Sequence, residues 1–294
     1  MTASPPDDCC QIAARLRMDV VQLSHEARTP HLASCLSCID ILTAVYFGGL
    51  EIDADTIHQP DRDLFILSKG HAATALYAAL TRRGLWSLET LASYNTDGSL
   101  LPEHPSPGKL PGIEAATGSL GHGLPIALGR QLARRIQGTP GRAVVLLSDG
   151  ECQEGSVWEA AMVAAAQRMG TLAVIVDANA WQATARTAEL ADNTTLVGKW
   201  RAFGWRAVEI DGHDCAAVAD TLRALPRDCQ LAAHPQQPLA IVAHTVKGKG
   251  VSFMEDDNNW HYRVPTANEV LLAATELGVT PDPLLARHAV EAAS

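Results

Sequence analysis

The chain has 294 residues, 47% of them hydrophobic and 19% charged, and a formal net charge of −10. This composition is ordinary for a globular protein with a substantial core, and the length allows one large α/β domain or two small ones. No run of Lys or Arg stands out. Because phosphate backbones and anionic membrane surfaces attract clustered cations, the sequence argues against nucleic acid or a membrane as a partner.

The N-terminal segment carries no export signal that we recognise. Residues 1–10 are polar, acidic and contain proline, without the basic and apolar stretches of a signal peptide. We expect residues 1–10 to be a disordered tail, residues 11–294 to form the folded domain, and the protein to be cytoplasmic. The longest apolar runs, such as 143–147 and 172–176, are too short to cross a bilayer.

The cysteines predict free thiols rather than a disulfide framework, because their number is odd, at seven. Cys35 and Cys38 form an isolated Cys-x-x-Cys pair. A zinc site would need a second pair or histidines at ligand spacing. We therefore expect both cysteines to be small buried residues on one helix face.

In chain order, helical segments alternate with short apolar strands, which predicts an α/β fold with a parallel sheet covered by helices on both faces. The predicted helices are 8–28, 37–47, 72–83, 120–137, 156–169 and 214–225, with two more inside 266–293. The predicted strands are 63–67, 143–147, 172–177, 206–210 and 239–244. Segments 97–111 and 247–265 are rich in Gly, Pro, Asn and His, and long loops of this kind are usually functional.

The most informative stretch follows the strand at 143–147. Ser148, Asp149 and Gly150 lie there, ahead of a helix, and ligands of open α/β sheets bind beyond the carboxyl ends of strands. Gly150 allows a close approach of the backbone, and the amides at a helix start favour phosphate. The next strand ends near Asn179, 30 residues after Asp149, an interval that fits one crossover helix between adjacent parallel strands.

Asp149 and Asn179 would then share one edge of the sheet. A carboxylate oxygen and an amide oxygen suit a hard divalent cation, Mg²⁺ or Ca²⁺, that bridges two phosphate groups. Either residue alone is commonplace, as a helix cap or a strand end. Their pairing at the ends of two apolar strands favours a metal–diphosphate site.

The same residues carry a family resemblance. Asp149-Gly150, followed at this interval by Asn179, resembles the thiamine diphosphate motif, and residues 148–160 (SDGECQEGSVWEA) resemble its transketolase form. Five further blocks occur in the expected order: 67–71 (LSKGH), 117–123 (TGSLGHG), 199–205 (KWRAFGW), 210–214 (IDGHD) and 245–255 (TVKGKGVSFME). The chain thus resembles the transketolase family from about residue 10 to about residue 265.

The resemblance implies a thiamine diphosphate-binding fold and assigns roles to single residues. Asp149, Asn179 and the backbone carbonyl of Trp181 would hold Mg²⁺. The amides of Gly150 and Glu151 would contact the diphosphate.

Histidines are assigned to the reaction centre by the same resemblance. His71 and His261 would reach the phosphate oxygens. His31 and His104, together with His261, would face the reacting carbons and exchange protons or hydrogen bonds with substrate hydroxyls. Their positions agree, since His71 follows a strand and His104 and His261 lie in the two long loops.

The remaining implied contacts surround the cofactor rings and the subunit boundary. Backbone groups of Gly118 and Leu120 would contact the aminopyrimidine, and Val246 would flank the thiazolium. Glu154 would lie at the subunit interface, in a carboxylate network that links two cofactors.

A partner chain is also implied. Thiamine diphosphate chemistry needs an acid beside the aminopyrimidine. In transketolases that glutamate, and the arginines that bind the substrate phosphate, belong to a pyrimidine-binding domain beyond the point where this sequence ends. We therefore expect a C-terminal partner subunit, an α2β2 assembly, and transfer of a two-carbon ketol unit from a ketose or keto donor to an aldehyde acceptor.

Several residues depart from the family pattern and favour a specialised substrate. Ser148 replaces a glycine, and residues 31–34 read HLAS where the family usually has His-Pro-Gly-Gly. His122 stands in place of the usual glutamine. Ala183 occupies a position where a larger aliphatic side chain usually packs against the thiazolium.

Three alternatives stay open. One is a different thiamine diphosphate enzyme: a subunit that decarboxylates 2-oxo acids or forms acyloins, or a deoxysugar-phosphate synthase. Block 245–255 and Trp260-His261 favour the transketolase branch over these enzymes. Another is a degenerate regulatory subunit. A dinucleotide-binding domain would need Gly-x-Gly-x-x-Gly directly after a strand, and the glycines at 118, 121 and 123 have the wrong spacing.

Overall fold

The structure is a computed structural model that describes residues 6–108, 110–191, 195–228 and 237–287. Its sheet contains five strands, all parallel, in the spatial order β1-β2-β3-β5-β4. The strands are β1 Leu64–Leu67, β2 Ala143–Ser148, β3 Leu172–Ala178, β4 Arg206–Asp211 and β5 Leu239–His244. This arrangement confirms the predicted α/β fold.

Helices lie on both faces of the sheet. They are α1 Pro6–Ala27, α2 Leu32–Ser37, α3 Ile39–Ala44, α4 Ala73–Arg82, α5 Leu88–Ala92, α6 Gly123–Gln137, α7 Gly155–Ala166, α8 Thr187–Leu190, α9 Leu196–Ala202, α10 Cys215–Arg223 and α11 Ala267–Leu277. One apolar cluster joins the sheet to α1, α3, α4, α10 and α11, and a second joins it to α6, α7 and α9. No helix in these described ranges is long and apolar enough to cross a membrane.

The burial of the strands explains their sequences. Strands β1 and β2 are buried along their whole length, and β3 is buried except at its last residue. Strands covered on both faces read as continuous apolar runs instead of alternating ones. Strand β4 lies at the edge of the sheet and mixes buried with exposed positions, as its charged residues Arg206 and Glu209 require.

Several predicted boundaries were wrong. Helix α1 begins at Pro6, so residues 6–10 are helical where a disordered tail was predicted; residues 1–5 lie outside the described part. The helix predicted at 120–137 begins only at Gly123, because Gly118 and Gly121 adopt positive φ values that an α-helix does not contain.

The helix predicted at 37–47 is interrupted. An additional helix, α2, precedes it, and the chain leaves helical geometry at Cys38 before α3 and a π-helical turn, Val45–Gly49. The short helices α5, α8 and α9 were not predicted. Cys35 and Cys38 are free and buried, as expected, but Cys38 lies between α2 and α3 and not on the helix face that was predicted for both.

Candidate active site

The carboxyl ends of β1, β2 and β3 open into one cavity of about 340 Å³. Ser148 ends β2, while Lys69 and Asn179 follow β1 and β3, and all three line the cavity. Most of the residues predicted for the site line it as well: His31, His71, His104, Gly118, Leu120, Gly150, Glu154, Asn179, Trp181 and His261. Asp149, Glu151 and Val246 are sequence neighbours of lining residues: Asp149 and Glu151 flank Gly150, and Val246 precedes Lys247.

The register of β2 and β3 places the predicted metal ligands together. Ser148 pairs with Asp177, so Asp149 and Asn179 both emerge at the same edge of the sheet. The Asp149 carboxylate accepts hydrogen bonds from the Gly150 N–H at 2.8 Å and from the Thr187 hydroxyl at 2.9 Å. The side-chain oxygen of Asn179 accepts the Trp181 N–H at 3.1 Å.

Asp149 is buried, and its two hydrogen-bond donors are both uncharged. Burial, reinforced by the neighbouring Asp177 carboxylate, raises the pKa of Asp149 to about 6. A bound cation would compensate this buried acid. The oxygen atoms of Asp149 and Asn179 therefore fit a hard divalent cation.

Trp181 is fixed by contacts that the sequence did not reveal. Ala180 adopts a positive φ of 66°, and Trp181 then pairs with Arg186 in an isolated antiparallel bridge. The Arg186 guanidinium lies 3.9 Å from the centre of the Trp181 ring. Asp256 accepts the indole N–H at 2.7 Å and both guanidinium donors at 2.6 and 2.7 Å. This contact ties the turn after β3 to the loop that carries His261.

The predicted histidines form a cluster around His31. Its ring centre lies 4.8 Å from that of His261, 5.5 Å from that of His71 and 6.4 Å from that of His104. His31 has a left-handed φ of 69°, and its N–H donates to the His261 carbonyl at 2.8 Å. Its Nδ1 is buried without a hydrogen-bond partner, so one polar atom beside the cavity is left for a ligand.

Three rings of the cluster, those of His31, His71 and His261, are uncharged at neutral pH. Burial, followed by the charges of His104 and Lys247, lowers the pKa of His31 to about 4. Burial, followed by Lys247, lowers the pKa of His261 to about 3. Burial likewise holds the pKa of His71 well below its ordinary value. These rings can accept hydrogen bonds without bringing a positive charge.

Two buried lysines also line the cavity, although no role was predicted for either. Lys69 donates to the Asp177 carboxylate and, at 2.9 Å, to the Ser34 carbonyl. Burial disfavours its charge, but Asp177 outweighs burial and holds the pKa of Lys69 above its ordinary value.

Lys247, unlike Lys69, forms no ion pair with an acid in the part of the chain that the structure describes. Its Nζ donates to the Asn258 side-chain oxygen at 2.7 Å, to His261 Nδ1 at 3.3 Å and to the Gln182 carbonyl at 3.5 Å. All three acceptors are uncharged, and burial lowers the pKa of Lys247 to about 8. Lysines are rarely buried without a partner of opposite charge, so this side chain is suited to an anionic ligand.

Glu151 lies beneath the cavity. Its carboxylate accepts the N–H groups of Gly121 at 2.8 Å and Ser148 at 3.2 Å, and the Ser68 hydroxyl. Its own N–H, predicted to contact diphosphate, donates instead to the Ser148 hydroxyl at 3.1 Å. The serine that replaces the family's glycine is therefore the present partner of this amide.

The other predicted residues occupy different sides of the cavity. Gly118 has a φ of +136°, and a Cβ there would lie 2.6 Å from His104 Cδ2, so these two residues are in close contact. Leu120 accepts a hydrogen bond from His122 Nδ1 at 3.0 Å. Glu154 precedes α7 and is exposed. Val246 lies beside Lys247 and donates its N–H to His213.

Comparison with known proteins agrees with this geometry. Residues 8–291 match the family model described as the transketolase thiamine diphosphate-binding domain. The chain is 38% identical over 274 residues to an apulose-4-phosphate transketolase subunit of Actinobacillus succinogenes, over 92% of this chain and 96% of that protein. It is 38% identical over 225 residues to a 6-deoxy-6-sulfo-D-fructose transketolase subunit of Clostridium sp., over 76% of this chain and 80% of that protein.

Among solved structures, transketolase from Campylobacter jejuni superposes with a TM-score of 0.83 and 26% sequence identity. The alignment covers 95% of this chain but only 44% of that longer chain. The resemblance that the sequence motifs predicted is confirmed, and the chain belongs to the transketolase family as its thiamine diphosphate-binding domain.

Proposed function

We propose that this chain is the diphosphate-binding subunit of a two-chain, thiamine diphosphate-dependent transketolase. The observation that carries the proposal is that a buried acid and a buried lysine lie at one edge of the sheet, both without an ion-pair partner among the described residues. Among the described residues, Asp149 is buried and accepts only from uncharged donors, and Lys247 is buried and donates only to uncharged acceptors. A metal ion with a diphosphate group satisfies both at once.

In this proposal Asp149, Asn179 and the Trp181 carbonyl bind Mg²⁺, which Ca²⁺ can replace. Lys247 and the Gly150 N–H bind the diphosphate, and His71 and His261 extend this contact. When bound, thiamine diphosphate supplies a nucleophilic thiazolium carbon that accepts and releases the two-carbon unit.

The chain's own contribution to proton transfer comes from His31, His104 and His261. Because the pKa values of His31 and His261 are low, at about 4 and about 3, both rings are neutral acceptors for substrate hydroxyl groups. The buried, unpartnered Nδ1 of His31 is the atom that we assign to a substrate oxygen. Gly118 and Leu120 offer backbone groups to the aminopyrimidine, and Val246 flanks the thiazolium.

Three further chains complete the proposed enzyme: a second copy of this chain and two copies of a partner. Helix α7 exposes Met162 and Val163 on its outer face, one turn or more beyond the exposed Glu154. An apolar outer face supports packing against a second copy of this chain, with Glu154 at the contact. The glutamate that activates the cofactor and the arginines that bind the substrate phosphate would come from a pyrimidine-domain partner, in an α2β2 assembly.

The substrate is proposed to be a ketose or keto donor with an aldehyde acceptor, outside the ordinary pentose phosphates. Of the departures in residues 31–34, Leu32 and Ala33 are buried in the core, whereas Ser34 lines the cavity with its hydroxyl 3.4 Å from His261 Nδ1. Ala183 also lines the cavity. Ser34 and Ala183 are therefore the substitutions placed to change the substrate range. The relatives named for apulose-4-phosphate and 6-deoxy-6-sulfo-D-fructose, both ketoses, agree with an unusual donor.

The test is ketol transfer by this chain co-expressed with a pyrimidine-domain partner, across a panel of sugar-phosphate and non-phosphorylated aldehydes. Asp149→Ala should lower Mg²⁺-dependent cofactor affinity by about 100-fold. Glu209→Gln changes an exposed acid within strand β4 and should leave cofactor affinity unchanged. Cofactor-dependent decarboxylation of 2-oxo acids without ketol transfer, or no cofactor-dependent turnover at all, would contradict the proposal.

A further inference from the structure

His213 follows β4 and lies behind the cavity wall, with a side chain that is 15% exposed. Its Nε2 accepts the backbone N–H of Val246 at 2.9 Å, and its Nδ1 lies 2.6 Å from the carboxylate of Asp40. A backbone amide can only donate, so Nε2 carries no proton. Nδ1 therefore carries the ring proton and donates it to Asp40. The contacts select one neutral tautomer of His213.

Asp40 is a buried residue of α3, and it holds a second group that reaches the same segment. Arg17 donates to the carboxylate oxygen that accepts from His213, and its Nε donates to the Lys249 carbonyl at 2.9 Å. Burial opposes ionisation of Asp40, but the hydrogen bonds and charges of His213 and Arg17 outweigh it and keep its pKa below the ordinary value. One carboxylate thus orients two side chains that hold Val246 and Lys249, on either side of Lys247.

Other contacts also hold the segment: the Thr245 hydroxyl donates to the Asp177 carboxylate, and the Gly250 N–H donates to the Glu255 carboxylate at 2.9 Å. The Gly248 N–H donates to the Ala33 carbonyl at 3.0 Å, and the Lys247 carbonyl accepts the Asp256 N–H at 2.8 Å. Among the described residues, the bonds to His213 and Arg17 are the side-chain contacts made to the backbone groups of Val246 and Lys249, which flank Lys247. A rotation at Val246 would move the Lys247 side chain out of the cavity.

We propose that His213 is a positioning residue for thiamine diphosphate. Ordered by Asp40 as the Nδ1–H tautomer, it accepts the Val246 N–H and so fixes the segment that presents Lys247 to the diphosphate. This inference rests on the proposed function for the identity of the ligand. The tautomer and the local hydrogen bond stand independently of it.

The experiment compares wild type with His213→Phe and His213→Gln in the full chain. Phenylalanine keeps a ring but removes the acceptor, whereas glutamine retains an oxygen for the Val246 N–H. Thiamine diphosphate affinity, measured by calorimetry with Mg²⁺, should fall about tenfold in His213→Phe and recover in His213→Gln. Hydrogen exchange of the 245–251 peptide should accelerate in the phenylalanine variant and return toward wild type in the glutamine variant. His244→Gln, in an exposed pair with Glu209, is the matched control and should match wild type in both measurements.

The ring ¹⁵N shifts of His213 in the unliganded wild type give a readout that needs neither a variant nor a ligand. They should show a protonated Nδ1 and an unprotonated Nε2. A protonated Nε2, or a folded His213→Phe that binds the cofactor as tightly as wild type, would overturn the inference. Wild type that shows the expected tautomer and exchange but binds no thiamine diphosphate would overturn the proposed function instead.

Discussion

Lys69 and Lys247 are both buried beside the same cavity, yet their surroundings differ in one respect. Lys69 donates to the carboxylate of Asp177, whereas every acceptor of Lys247 is uncharged. The pKa of Lys69 is held above its ordinary value, and that of Lys247 is lowered to about 8. We therefore assign Lys69 to the scaffold and Lys247 to the proposed binding site.

The same contrast separates two acids. Asp177 accepts from Lys69, Ser37 and Asn179, whereas Asp149 accepts only from neutral donors. A charge that is buried and compensated supports the fold, while a charge that is buried and uncompensated favours a ligand of opposite sign. This distinction identifies functional residues without reference to relatives.

The largest effect should follow from removing Lys69. Lys69→Met leaves Asp177 buried without its counter-charge, so the free energy of unfolding should fall by about 3–5 kcal/mol. Urea denaturation of the unliganded chain measures this. A variant as stable as wild type would show that the Lys69–Asp177 pair does not support the fold.

Lys247→Met should affect binding instead of stability. Loss of a charged donor to the diphosphate should weaken thiamine diphosphate binding by about 10- to 100-fold. The free energy of unfolding should change by less than about 1 kcal/mol, since no buried anion is left unpaired. If Lys247→Met lowers the free energy of unfolding as much as Lys69→Met does and leaves thiamine diphosphate binding unchanged, the contrast between the two lysines is wrong.

Cofactor affinity should depend on pH through Lys247. The free chain loses this positive charge as pH rises through about 8, and the diphosphate favours the charged form. Affinity should therefore be full between about pH 6, above which the metal ligand Asp149 is ionised, and about pH 8. Above pH 8 it should fall by up to about tenfold per pH unit. His31 and His261, with pKa values of about 4 and about 3, do not titrate in this window.

Lys247→Arg is the matched control for the pH profile, because arginine stays charged throughout. Its affinity should be flat where that of wild type declines. Parallel declines in both proteins would assign the effect to another group.

The smallest effect concerns Ser148. Ser148→Gly removes the hydroxyl that now accepts the Glu151 N–H and frees this amide for the diphosphate, so affinity should rise about fivefold. Ser148→Ala should give the same gain, because the hydroxyl and not the Cβ occupies the amide. Calorimetry on both variants decides the point, and unchanged or weaker binding in both would refute it.

Sequence reasoning could predict the proposed metal ligands because these residues follow local patterns. Asp149 and Asn179 each follow an apolar strand, and a crossover of one helix makes such strands neighbours, as the β2–β3 register shows. The histidines were found through family blocks and loop composition, and the structure brings all of the predicted ones into one cluster. Their chemical roles stay predictions.

The features that sequence reasoning missed depend on contacts between distant positions. Lys247 was visible inside a quoted block, but only the fold shows that it is buried with neutral partners. Arg186 and Asp256 pair across 70 positions, and no local pattern predicts such a contact. A lysine directly after an apolar strand, as at Lys69, was the one available signal, because it implies a buried acid on a neighbouring strand.

The central claim is that the cavity binds its ligand through the diphosphate. Calorimetric titration of the purified chain, in the presence of Mg²⁺, with thiamine diphosphate and with thiamine tests it most directly. We predict that thiamine diphosphate binds at least about 100-fold more tightly than thiamine, a difference in binding free energy of about 2.7 kcal/mol. Equal affinity for the two ligands, or no binding of either, would contradict the assignment of Lys247 and Asp149 to a metal–diphosphate site.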